Sequence, residues 1–226
     1  DILLGSPTKP TMPAFSAMRV ANAQAASNGR ESAQSVAATN SLPYTVYYAN
    51  LHSQTNDSDG GGAVSTCSSS QAAQSGAYGP AAAFPYAKTA GLDVLMTSEH
   101  NHYFDGSSST NASGSATTAR NRYTAGLTAA SNYNSANPNF LAIYGMEWGV
   151  ISNGGHLNII NSTELFSWEY NSSNELFGHR YTAKSDYAAL YSTMRQQGLV
   201  GQFNHPETSG QFAINGTALA YSADGD

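Results

Sequence analysis

An α/β fold is the class this sequence predicts, and three observations predict it. Leu92, Val94, Leu95 and Met96 form a short apolar run, the pattern of a strand buried on both faces. An Ala-rich segment at 81–90 precedes it and stops at Gly91, as a helix does. The run then opens into Glu99-His100-Asn101-His102, a cluster of metal-capable side chains. Helix, glycine, buried strand and polar tip is the grammar of α/β folds, which carry their chemistry at strand ends.

Residues 1–42 read as an N-terminal arm, part helix and part linker. Pro7, Pro10 and Pro13 open it, and the rest is rich in Ala, Ser, Gln and Asn with a weak apolar stripe. The domain is expected over 43–226. Its first strand is expected within 41–53, where Tyr44, Val46 and Tyr48 alternate with Thr45 and Tyr47. That strand runs into His52-Ser53-Gln54, then Asp57, Asp59 and three glycines, a loop suited to close backbone approach. A Ser/Gln/Ala/Gly loop at 63–79 leads to the Ala-rich helix.

Beyond His102 a Ser/Gly/Asn loop leads to a helix at 116–135, with Tyr123, Leu127 and Ala130 on one face and Pro138 beyond its end. A third buried strand at 140–150 carries Glu147 near its end, and His156 opens a further strand at 157–160. His156 follows Glu147 by nine residues, the spacing of a chain returning past the same end. An aromatic, turn-rich stretch at 162–182 contains His179. A helix at 183–197, with Tyr187, Leu190 and Met194 inward, stops at Gly198. A short buried strand at 199–203 ends in Asn204-His205-Pro206-Glu207, and one further strand is expected at 211–215.

The composition narrows the function. A chain of 226 residues can bury one sizeable core. Charged residues make up 11%, and fifteen acids against nine bases leave a net charge of -6. That balance argues against a nucleic-acid binder relying on a broad basic surface. It leaves a phosphoester substrate open, because bound metal ions supply local positive charge. No apolar run approaches a membrane span. The chain begins at Asp1 and is rich in Ser, Asn, Gln, Thr and Tyr, so a processed, secreted or periplasmic protein is expected. Cys67 is the lone cysteine and cannot form an intrachain disulfide.

A lone histidine is most often structural, but His52, His100, His156 and His205 all stand beside predicted strand ends, together with Glu147. A carboxylate at the end of a buried strand is costly unless it is paired or binds a metal. Imidazoles with carboxylates suit zinc, manganese or iron without choosing among them. His102 reads as a ligand, a substrate contact or a group that orients a ligand. His179 lacks such context. No Gly-x-Ser-x-Gly elbow is present, which argues against a serine hydrolase.

Taken in order, these motifs resemble the PHP superfamily, the polymerase-and-histidinol-phosphatase metallohydrolases. Asn50-Leu51-His52-Ser53-Gln54 and Ser58-Asp59-Gly60 are similar to its first motif, Asp-x-His-x-His followed by Ser-Asp-Gly, with two changes. Gly91-Leu92-Asp93 and Ser98-Glu99-His100-Asn101 resemble its second, a Gly-Leu-Asp strand followed by Thr-Asp-His-Asn. Gly145-Met146-Glu147 and Gly155-His156-Leu157 resemble the third, and His205-Pro206 the fourth. The likeness spans 44–210, and the loop-rich style is similar to the carbaryl-hydrolase-like branch.

The resemblance implies a distorted (β/α)7 barrel with two or three divalent zinc, manganese or iron ions at its C-terminal face. It implies ligands at His52, Gln54, His100, Glu147, His156 and His205, with Glu147 bridging two ions and Asp59 either a further ligand or a group that orients one. The implied activity is hydrolysis of a phosphoester or other small-molecule substrate by metal-activated water. His100, Glu147 and His102 would be catalytic, and Asn101 and His102 would touch the substrate.

Three departures qualify this. Gln54 replaces a histidine, and an amide oxygen is the weaker ligand. Glu99 replaces an aspartate. Nothing after His205 supplies the family's closing Asp-x-His, since Asp224 and Asp226 have no histidine beside them. The barrel is therefore expected to be incomplete at its C-terminal end, with a C-terminal partner segment or second chain completing it. The alternatives are a non-catalytic metal-binding or interaction domain with a degenerate site, and a hydrolase of amide or carbamate esters.

Overall fold

The computed structural model describes residues 46–63, 72–149, 155–184 and 186–205, and the backbone of 213–214 and 217–218. The expected N-terminal arm, Tyr44, Cys67, Pro206, Glu207, Asp224 and Asp226 lie outside the described residues.

The fold is mixed α/β, built on a curled half-barrel sheet. Strand β1 is Ala49–Asn50, helix α1 Pro80–Thr89, β2 Val94–His100, α2 Ala116–Ala136, β3 Leu141–Trp148 and β4 Leu157–Ile160. Short β5 (Phe166–Ser167) and β6 (Arg180–Tyr181) follow, then α3 (Tyr187–Gln197) and β7 (Val200–Phe203). A last pair, β8 (Ala213–Ile214) and β9 (Thr217–Ala218), is antiparallel.

The helices start and stop where local chemistry dictates. Pro80 begins α1, where a missing N–H costs nothing, and Gly91 at φ 96° turns the chain after it. Ser115 caps α2 by accepting from the Thr118 N–H, and Asp186 caps α3 by accepting from that of Ala189. Gly198, at φ 66°, closes α3 in the left-handed conformation. Helices α1 and α2 pack against each other and against β2 and β3, around Phe84, Tyr123, Phe140 and Tyr144.

The main sheet runs β1-β2-β3-β4-β7. β1, β2 and β3 are mutually parallel; β4 is antiparallel to both β3 and β7. The ends of β1, β2, β3 and β7 and the start of β4 therefore share one edge. β4, antiparallel to β3, makes the return past the same end expected from the nine-residue spacing of Glu147 and His156.

Curling follows from contacts that a flat sheet could not make. β1 and β7 are four strand spacings apart, about 19 Å if flat, yet the His52 and His205 rings beyond their ends lie 5.5 Å apart. Across the interior, Asn158 of β4 donates to the Leu51 carbonyl at 2.7 Å.

Three strand expectations are corrected. β2 continues through His100, so the polar tip is itself strand. Only Ala49–Asn50 of the first expected strand pairs among the described residues, and Val46 and Tyr47 are exposed. β7 is not buried: Val200 is 58% and Phe203 48% exposed, and among the described residues β4 is its one neighbour in the sheet.

Candidate metal centre

The shared edge gathers the side chains that the strand ends deliver. His52 lies just past β1, His100 is the last residue of β2, and Glu147 is its register partner in β3. His156 immediately precedes β4 and His205 follows β7.

Glu147 is the hub, with its side chain only 1% exposed. Oε1 lies 2.7 Å from His156 Nδ1, 3.1 Å from His205 Nε2 and 3.6 Å from His52 Nε2. Oε2 lies 3.1 Å from His100 Nε2. The amide of Asn204 donates to Oε1 at 3.0 Å and that of Gln54 to Oε2 at 3.0 Å. Burial pushes this carboxyl's pKa up, but His156, His100 and His52 outweigh burial and hold it at about 2.

Two groups of ligand atoms converge here, His52–Glu147–His205 and His100–Glu147–His156, and either could hold a metal ion. Glu147 is common to both. The fit to a metal rests on how these atoms meet. His156 Nδ1 is buried and close to Oε1, yet it makes no properly directed hydrogen bond. A buried nitrogen left without a hydrogen bond among close carboxylate and imidazole atoms is the chemistry of a ligand set.

Outer partners orient the imidazoles. Asp59 Oδ1 lies 3.0 Å from His100 Nδ1, and Ser98 Oγ lies 2.8 Å from His52 Nδ1. In each ring the other nitrogen is thereby left for Glu147 or a metal. Burial opposes the charged form of His100, but Asp59 and Glu147 outweigh it and raise its pKa. For His52 burial prevails, helped by the neighbouring histidines, and its pKa falls.

The loop carrying Gln54 and Asp59 is pinned from beneath. Glu99 is fully buried and accepts from Thr55 N–H at 2.9 Å, Thr55 Oγ1 at 2.8 Å and Ser58 Oγ at 2.8 Å. Burial raises its pKa to about 7. Gly60 lies against the Gln54 carbonyl, where any Cβ would collide, so the glycine permits the tight loop.

The sequence-predicted residues divide. His52, His100, Glu147, His156 and His205 converge. Asp59 and Gln54 stand beside them as partners of His100 and Glu147, outside the two convergent groups. Gln54 was expected to offer oxygen, but its nitrogen faces Glu147 because the carboxylate needs a donor. His102 flanks the centre, its ring 5.8 Å from that of His100; burial and the nearby His100 charge lower its pKa to about 3.

Asn101, expected as a substrate contact, has both ends of its amide on backbone groups in this structure. It is 2% exposed, its amide oxygen accepts from Gly149 N–H at 3.2 Å and its nitrogen donates to the Phe166 carbonyl at 3.2 Å. The side chain is spent on bracing backbone. His179 accepts from Leu165 N–H at 3.0 Å, away from the centre.

Asn204, Ser98 and Thr55 are contributors that sequence reasoning missed. Asn204 preceding the strand-end His205 is the one signal that was available. A separate cleft of about 500 Å3 between α1 and α2 is lined by Asp57, Arg122 and small residues and shares no side chain with the centre. No helix among the described residues is long and apolar enough to cross a membrane. No protein-family model, curated protein or solved structure matches this chain.

Proposed function

We propose that this chain is a metal-dependent hydrolase that acts on phosphoesters at the shared strand edge. The observation that carries this reading is a single buried carboxylate, Glu147, common to two convergent histidine groups. Burying a carboxylate with four imidazoles gathered around it is expensive unless the arrangement serves a ligand. His52, Glu147 and His205 would hold one ion, and His100, Glu147 and His156 a second. An ion held there, zinc, manganese or iron, would supply Lewis-acid chemistry towards water and ester oxygens.

The chain's own residues prepare that centre. Glu147 remains ionised over the whole neutral range. Asp59 and Ser98 fix which nitrogen of His100 and His52 faces inward. Asn204 bridges Glu147 and Asn158, tying the end of β7 to β3 and β4.

The PHP reading rests on the motifs. The curled half-barrel sheet supports it as part of a (β/α)7 barrel. The composition supports an exported protein.

One observation favours a second reading, a metal-binding domain without catalysis. Gln54 turns an N–H towards Glu147, where an imidazole lone pair would serve a metal better.

Hydrolysis of activated phosphomonoesters, phosphodiesters and carbamate esters, with and without added divalent metal, separates the two. The hydrolase reading predicts metal-dependent turnover that His100→Ala abolishes while the fold persists. Absence of metal-dependent turnover on all three substrate classes would leave the binding domain.

A further inference from the structure

Beside the centre stands a histidine that belongs to neither convergent group. His102 packs its ring against Trp168, with centroids 5.7 Å apart and planes 29° apart, and Tyr103 meets it edge-on at 4.6 Å. Trp168 is itself braced edge-on by the buried Trp148 at 4.8 Å. Aromatic packing therefore positions His102, and among the described residues no hydrogen bond reaches either of its nitrogens.

The two nitrogens are not equivalent. Nδ1 is buried without a partner, whereas the residue as a whole is only half-buried. Nε2 is thus the outward nitrogen. An orphaned buried N–H is a rarer and costlier defect than an orphaned acceptor, so the packing favours the tautomer with its proton on Nε2. This tautomer offers a hydrogen-bond donor one ring away from His100. Lys184 Nζ lies 5.6 Å from the centre of the Trp168 ring, the same ring against which His102 packs, and adds positive charge to this neighbourhood.

We propose that His102 is a catalytic residue whose Nε2–H donates a hydrogen bond to a phosphoryl oxygen of the substrate. The proposal rests on the phosphoester-hydrolase reading above. A fixed donor beside a centre that receives an anionic ester stabilises charge where it grows on oxygen during the reaction. The donor and Lys184 together select an anionic group over a neutral one.

The test is histidine-labelled NMR of the zinc-loaded protein titrated with inorganic phosphate, alongside His102→Ala and His102→Gln. A glutamine amide nitrogen reaches near the position of Nε2. The expected result is a His102 ring protonated at Nε2, whose signal moves as phosphate binds. His102→Ala is expected to keep its zinc and bind phosphate about tenfold more weakly, with His102→Gln restoring most of the affinity. A proton on Nδ1, a His102 signal indifferent to phosphate, or loss of zinc in both variants would overturn the proposal. Turnover is scored separately: a protein whose His102 responds to phosphate but which hydrolyses no ester would contradict the hydrolase reading and leave this contact standing.

Discussion

Asp59 Oδ1 and His100 Nδ1 lie 3.0 Å apart, and the opposite nitrogen of the same ring lies 3.1 Å from Glu147. The carboxylate on one side thus sets what the ring can do on the other. Asp59→Asn is expected to weaken metal binding by about 10–100-fold without unfolding the domain. Competition titration against a chromogenic chelator measures it, with circular dichroism as the check on folding. Unchanged affinity would make Asp59 a bystander.

Glu99 gives a pH prediction for metal-free protein. Its folded pKa of about 7 lies above the ordinary 4.5. Between those values the folded state holds a proton that the unfolded chain has lost, so stability falls as pH rises through the window and levels off above it. The size is about 3 kcal/mol at the reference cost of a pKa unit. Glu147, held at about 2, has the opposite sign: its contribution is present above pH 4.5 and is lost as pH falls through its folded value. His102, held at about 3, gains stability over part of the same window, so the comparison is the readout: in urea unfolding from pH 4.5 to 8 the native chain should lose stability relative to Glu99→Gln as pH rises. Equal slopes in the two would contradict the assignment.

How much of this was legible in the sequence depends on the range of the interaction concerned. The helix caps and stops at Gly91 and Gly198, the apolar run through Met96 and the position of Glu147 near a strand end are local signals, and each stands in the structure. Which strands pair is not local. The exposure of β7 follows from sheet order, which no short motif encodes. The same holds for the centre. Strand-end histidines could be read from residue type and spacing, whereas the orientation of the Gln54 amide and the bracing role of Asn101 depend on partners 93 and 65 residues away.

Gly126 tests the packing beneath the centre. A Cβ at this position of α2 would strike the buried Tyr144 ring, whose hydroxyl donates to Asp57 Oδ2 at 2.6 Å. Gly126→Ala is expected to cost about 1–3 kcal/mol despite its gain in helix propensity. Thermal unfolding reads this directly, and an unchanged or higher midpoint would show that the ring can move aside.

Gln54 offers a gain-of-function test. Its nitrogen lies 3.0 Å from Glu147 Oε2 and 3.2 Å from the Ser98 carbonyl. Gln54→His exchanges this donor for an imidazole lone pair, and zinc affinity is expected to rise about tenfold or more. Calorimetric titration checks it. A weaker affinity would mean that the amide's hold on Glu147 matters more than another ligand.

The central claim is that Glu147 and its histidines form a metal centre, and elemental analysis of protein purified without added metal or chelator tests it most directly. The account predicts zinc, manganese or iron at up to two equivalents, lost on Glu147→Ala. Protein that carries no metal, and takes up none on titration, would contradict it.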